Sequence, residues 1–135
     1  MRPPLPAELL TVLARPNPAV IATVRPDGRP VSSAVWYLWE EGDVLVSMSA
    51  RSPRVENLRA EPRASLTVLD GPDWYRQVTL HGTTVTLEED PGLEVIDRLS
   101  LHYEGHPYGD RDPSHRHVAA RIRVTGWDQF GFALR

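Results

Sequence analysis

Short apolar runs, each closed by a turn signal, set the pattern of this chain. Val118 to Thr125 shows it most clearly. Ala120, Ile122 and Val124 alternate with Arg121 and Arg123, the period of a strand with one face on a core. Ala19–Val24 is apolar almost throughout and predicts a strand buried on both faces. Arg25-Pro26-Asp27-Gly28 then turns the chain, because proline presets φ and glycine accepts a positive φ. Pro30 to Trp39 is expected to return as one strand. Glu40-Glu41-Gly42-Asp43 turns again into Val44–Ser49, which completes a meander. Two more strands are predicted over Ala64–Leu69 and Tyr75–Leu87, joined by the turn Asp70-Gly71-Pro72-Asp73. His81-Gly82 inside the second predicts a bulge or a tight bend. Phe130–Leu134 extends or follows the last strand.

Helical periodicity is confined to short pieces. Pro6 to Ala14 puts Leu9, Leu10 and Leu13 on one face and stops at Pro16-Asn17-Pro18. Arg51–Arg59 forms a second helix between two strands. Glu88-Glu89-Asp90-Pro91 reads as the start of a third, with Val95, Ile96, Leu99 and Tyr103 as its apolar stripe. Gly105 to His117 is irregular. Many short strands with few helices predict a mainly β fold: a closed or nearly closed antiparallel barrel, one domain over residues 1–135.

Composition removes several function classes. The net charge of −3 gives no electrostatic case for nucleic acid or an anionic membrane. No stretch is long enough to span a bilayer and no signal-peptide run opens the chain, so the expected location is the cytoplasm. Absence of cysteine excludes disulfides, thiol nucleophiles and thiolate metal sites. All 15 basic residues are arginine, so no Schiff-base lysine exists and any phosphate clamp is arginine or backbone.

The segment Val44–Leu69 carries the chemistry. Strand, short helix and strand follow one another, and the first junction gathers Ser49, Arg51, Arg54 and Asn57 at a helix N-terminus. Free N–H groups and the positive end of the dipole favour an anion there, and guanidinium forks fit phosphate oxygens. A phosphorylated ligand is the expectation. Other motifs point nowhere. His102 and His106 have metal-ligand spacing, but Gly105-His106-Pro107 breaks the helix that spacing needs, and no metal site is expected. Ser47, Ser49 and His81 lack a nucleophile elbow and an assignable third group. No glycine-rich dinucleotide loop or Walker motif is present.

The run ATVRPDGRPVSSAVWYLW (Ala22 to Trp39), then Arg54-Val55-Glu56-Asn57 and Glu61-Pro62-Arg63-Ala64-Ser65, resembles the pyridoxamine 5′-phosphate oxidase-like split β-barrel family. More narrowly it resembles the actinobacterial branch that uses the deazaflavin coenzyme F420. Tyr108 to Pro113 and Arg121 to Trp127 are similar to that branch too. The resemblance implies a homodimer with cofactor sites at the subunit interface. It implies that Arg54 and Asn57 hold the phosphate, with Ser52 standing where many members have arginine and Arg51 as its substitute. Val31, Ser33, Val35 and Trp36 match the strand beside the ring system, with Ser47 and Ser49 nearby. Trp74 and Tyr75 match a segment that reaches the neighbouring subunit's site. The expected function is hydride transfer between F420 and an electron-poor small molecule. FMN is the alternative cofactor, and a non-catalytic carrier is the alternative role. No residue is assigned as catalytic; Tyr75 and His81 are the candidates for assisting proton transfer. The substrate pocket is expected along Tyr103–His117.

Overall fold

Three hairpins joined by one long last strand build the sheet of this molecule. The computed structural model describes residues 1–134; Arg135, the last residue of the expected single domain, lies outside the described residues. The elements run α1 (Ala7–Leu13), β1 (Ala19–Val24), β2 (Pro30–Val35), β3 (Leu38–Glu40), β4 (Asp43–Ser49), α2 (Pro53–Ala60), β5 (Arg63–Asp70), β6 (Asp73–Glu89), α3 (Glu94–Glu104) and β7 (His117–Phe130). The mainly β expectation holds. Seven strands form one sheet in the order β2-β1-β5-β6-β7-β4-β3, every neighbouring pair antiparallel.

The predicted meander is corrected. Pro30 to Trp39 is not one strand: β2 pairs with β1 at one edge of the sheet and β3 pairs with β4 at the other. Trp36 and Tyr37 carry the chain between the two edges. The barrel is therefore split, and covalent chain rather than a hydrogen-bond ladder bridges the gap. The β3–β4 hairpin turns on Glu41 and Gly42, both at positive φ, the pair that a primed two-residue turn requires.

Strand β1 alternates instead of being buried on both faces. Ala19, Ile21 and Thr23 enter the core, while Val20 stays 39% exposed. A barrel strand has only one inner face. Helix α1 buries Leu9, Val12 and Leu13; Leu10 points outward, contrary to expectation, because the buried stripe follows i, i+3, i+4. Val44, Val46, Val68, Val78, Leu80, Ala120 and Ile122 complete the same core.

The third helix begins later than expected. Strand β6 runs on to Glu89, and Asp90 caps α3 from outside: its carboxylate accepts the N–H groups of Glu94 and Val95 at 3.0 and 2.9 Å. The acidic signal marks the cap rather than the first turn. The third helix is then anchored by charge. Arg98 pairs with Glu40, Glu40 also accepts from Arg121 at 3.0 Å, and Asp43 binds Arg121 and Arg123. Beyond Phe130 the chain leaves the strand, with Phe132 folded into the core. No helix among the described residues is long and apolar enough to cross a membrane.

The expected irregularity at His81-Gly82 is present as a register shift against β7. A Cβ on Gly82 would sit 2.5 Å from the Arg123 carbonyl oxygen, so only glycine lets the strands approach there. Gly82→Ala is expected to lower stability by about 1–3 kcal/mol, as overpacking does. Urea unfolding checks this; an unchanged midpoint would show that β7 yields at no cost.

Candidate functional site

A cavity of about 610 Å3 opens where β1, β2 and β4 meet the two longer helices. Val20, Ala34, Val35 and Trp36 form one wall, Ser47 and Arg54 another, and Ile96, Leu99, Tyr103 and Tyr108 the third. Four of the residues expected around a cofactor thus meet here: Val35, Trp36, Ser47 and Arg54.

Trp36 owes its place to Tyr37. The Tyr37 side chain is fully buried and its hydroxyl bonds the carbonyls of Leu13 and Arg15 at 3.0 and 3.2 Å. Its neighbour must point the other way, into the cavity, where it stacks on Tyr103 with centroids 5.4 Å apart and planes 15° apart. The Tyr103 hydroxyl donates to the Asn17 carbonyl at 2.8 Å and accepts the Tyr37 N–H at 3.3 Å. Burial pushes the Tyr103 phenol up to about 12, so this wall stays uncharged at physiological pH.

Arg54 supplies the cavity's cation. It sits in the first turn of α2, whose N-cap is Ser52: the Ser52 hydroxyl accepts both the Arg54 N–H and its Nε–H at 3.3 Å. Ser52 therefore both caps the helix and orients Arg54. Burial holds the Arg54 guanidinium below its usual pKa, with no carboxylate acting to offset it. Ser47 Oγ is buried with no hydrogen-bond partner among the described residues. An apolar pocket with one half-buried unpaired guanidinium and one orphan hydroxyl fits an anionic ligand with a flat apolar body. A phosphorylated flavin-type cofactor has that chemistry.

Other expected residues lie elsewhere. Asn57 is buried on the opposite side of α2 from solvent, its amide donating to Thr23 Oγ1 at 3.1 Å, and it does not line the cavity. Val31 and Ser33 lie farther along β2, paired with Thr23 and Ile21. Ser49 and Arg51 line a neighbouring pocket instead. The second helix starts at Pro53, not Arg51, so Arg51 precedes the cap. Trp74 and Tyr75 sit at the tip of the β5–β6 hairpin, 74% and 78% exposed. His81 bonds Ser65 Oγ and Asp128 Oδ2, both at 2.9 Å, as a cross-strand ladder on the outer face. Neither Tyr75 nor His81 lines the cavity, so neither is placed to assist proton transfer within one chain. Among the described residues no three His, Asp or Glu side chains converge as a metal ion needs.

Sequence reasoning did not assign Ile96 and Leu99 to the site; their helical stripe signalled burial, which the cavity wall also satisfies. Pro16 and Pro18, read only as a helix stop, form part of the rim.

Comparison with known proteins bears on the family and the fold. The family profile described as pyridoxamine 5′-phosphate oxidase matches residues 5–130. A solved F420 reductase superposes with a TM-score of 0.82 at 25% identity, covering 92% of this chain and 98% of that one. A conserved hypothetical protein from Mycobacterium tuberculosis gives 0.74 at 27% identity, covering 96% and 86%. The heme storage protein HutZ from Vibrio cholerae gives 0.66 at 19% identity, covering 98% and 97%, a likeness of fold alone.

The buried Asn57–Thr23 bond predicts a structural effect. Asn57→Ala leaves the Thr23 hydroxyl without its partner and is expected to cost about 1–3 kcal/mol. Thermal unfolding checks this, with Arg54→Ala expected to melt near the parent.

Proposed function

Because the chain belongs to the pyridoxamine 5′-phosphate oxidase family, we propose that it is an F420-dependent oxidoreductase acting on an electron-poor small molecule. The observation that carries this reading is Arg54, a half-buried guanidinium with no carboxylate partner among the described residues, on the wall of a mostly apolar cavity. The likeness to an F420 reductase supports the choice of cofactor.

Arg54 binds the cofactor's phosphate, and the N–H groups at the start of α2 add to the attraction. The orphan Ser47 hydroxyl donates or accepts one polar contact. Ala34–Trp36 lies along the ring system, where small Ala34 leaves room for a flat body and the Tyr103 stack holds Trp36 in place. Ile96 and Leu99 exclude water from that wall. When bound, the reduced deazaflavin supplies a hydride to an enone- or quinone-like acceptor. No side chain is assigned the proton, which solvent delivers.

The working unit is a homodimer. Trp74 and Tyr75 at one hairpin tip, with Phe130 at 61% exposure, leave large aromatic surface uncovered in one chain. A second copy covers it and brings Trp74 and Tyr75 towards its own partner's cavity.

Fluorescence titration of the purified protein with F420 and with FMN tests the assignment. Tight F420 binding is expected; tight FMN binding without F420 binding would reverse the cofactor. Arg54→Ala is expected to weaken F420 roughly ten- to a hundred-fold, since a charge-assisted bond is worth about 1.5–3 kcal/mol. Unchanged affinity would remove Arg54 from the site. Bound F420 that is never oxidised by a broad panel of enones and quinones would make the protein a carrier.

A further inference from the structure

A second pocket, of about 260 Å3, adjoins the main cavity and shares Tyr108 with it. It lies between the β4–α2 junction and the segment leading into β7. Its floor is well fixed: Ser49 is paired with His117 across the β4–β7 ladder, and the Ala50 N–H donates to the Arg116 carbonyl at 2.9 Å. Tyr108 is fixed as well, because its N–H donates to Asp97 of α3 at 3.0 Å.

The imidazole of His117 lines this pocket and is only 9% exposed, yet its Nε2 is buried without a hydrogen-bond partner among the described residues. Tyr108 packs edge-on against the ring at 5.4 Å and 83°, which screens the imidazole without bonding its nitrogen. A buried polar atom left unpaired is costly and needs a reason. A ligand atom is the reason that fits, because the pocket's other charges, Arg51 apart, are already engaged. His115 pairs with Asp110 at 2.7 Å and lies 3.8 Å from Asp112, while Arg116 pairs with Glu89 at 3.2 Å. Arg51 takes part in none of these pairs, although its charge is felt at His115. Ser49 accepts the Arg51 N–H at 3.3 Å and keeps its own proton to donate.

We propose that this pocket is a second anion subsite, binding a phosphate or carboxylate oxygen through the Arg51 guanidinium, His117 Nε2–H and the Ser49 hydroxyl. Asp110 is the one wall residue that opposes an anion, and it is committed to His115. That one ligand fills both pockets rests on the reading of the main cavity as a cofactor site. The two cofactors differ in just this respect. FMN ends at a single phosphate monoester, whereas the phosphate of F420 is a diester that continues into a carboxylate-bearing tail. Two adjoining anion subsites match the longer molecule.

The test follows the histidine ring nitrogens of the full chain by nuclear magnetic resonance during titration with inorganic phosphate. The His117 Nε2 signal is expected to shift saturably. Arg51→Gln should weaken that response at least tenfold, while Arg29→Gln, a charge control on the β1–β2 turn, leaves it as in the parent. A His117 signal that phosphate does not move, or one that moves equally in Arg51→Gln, overturns the subsite. F420 with its tail intact and F420 trimmed of its glutamates then separate the sources. Loss of affinity in Arg51→Gln for the intact tail alone assigns a carboxylate, and equal loss for both assigns the phosphate. If F420 binds nowhere and phosphate still moves His117, the subsite stands and the cofactor reading falls.

Discussion

Tyr37 is the point on which the rest of the molecule turns. The sheet has two edges, β2 and β3, and they are consecutive in sequence. A chain that crosses between the edges of its own sheet must bury backbone with no strand partner, and such groups need other bonds. Tyr37 supplies them. Its hydroxyl reaches the carbonyls that end α1, and its N–H reaches Tyr103, whose own hydroxyl binds Asn17. One crossing thus ties the first helix, the α1–β1 connection and α3 together. Burial holds the Tyr37 phenol far above its ordinary pKa, so this hub stays neutral. The cavity is a consequence: with Tyr37 turned inward, Trp36 is turned outward onto Tyr103.

Local signals read well where local chemistry decides. The turn at Arg25–Gly28, the irregularity at Gly82 and the alternation of β7 all follow from residue types within a few positions. The break at Trp36–Tyr37 does not, because Pro30 to Trp39 contains β-favouring residues and no breaker at the crossing. The tight β3–β4 hairpin takes Leu38–Glu40 with β4, and β4 is held by distant β7, at the opposite edge of the sheet from the β1–β2 pair. The late start of α3 has a similar cause. Asp90 and Pro91 mark a helix start correctly in kind, yet pairing with β7 extends β6 through Glu89 and delays the helix to Glu94.

The site was legible by residue type and less so by grouping. Ser47 and Arg54 come together through the local β4–α2 junction, whereas Val35 and Trp36 reach the same cavity through the Tyr37 crossing and the Tyr103 stack. Arg51 and Arg54 are three apart, and three apart means one face only if both are helical. Ser52 caps the helix between them, so the two guanidiniums part and line different pockets. Asn57, expected beside the phosphate, faces inward, where it gives α2 a polar link to Thr23 of β1 between the apolar contacts of Val55 and Leu58.

The two pockets are joined by one strand. Val44, Val46 and Met48 of β4 point into the core, so Ser47 and Ser49 share its other face. Ser47 opens on the larger cavity and Ser49 on the smaller. Two residues along a strand advance about 7 Å, the span of a few covalent bonds. Tyr108 stands between the pockets as their common wall, its N–H fixed by Asp97 of α3. A molecule with one anionic end reaches only one of the two arginines that line these pockets, Arg54 and Arg51. A molecule whose charge continues past the phosphate satisfies both, together with the orphan nitrogen of His117. The spacing of serines on a single strand thus puts the two pockets within reach of one extended ligand.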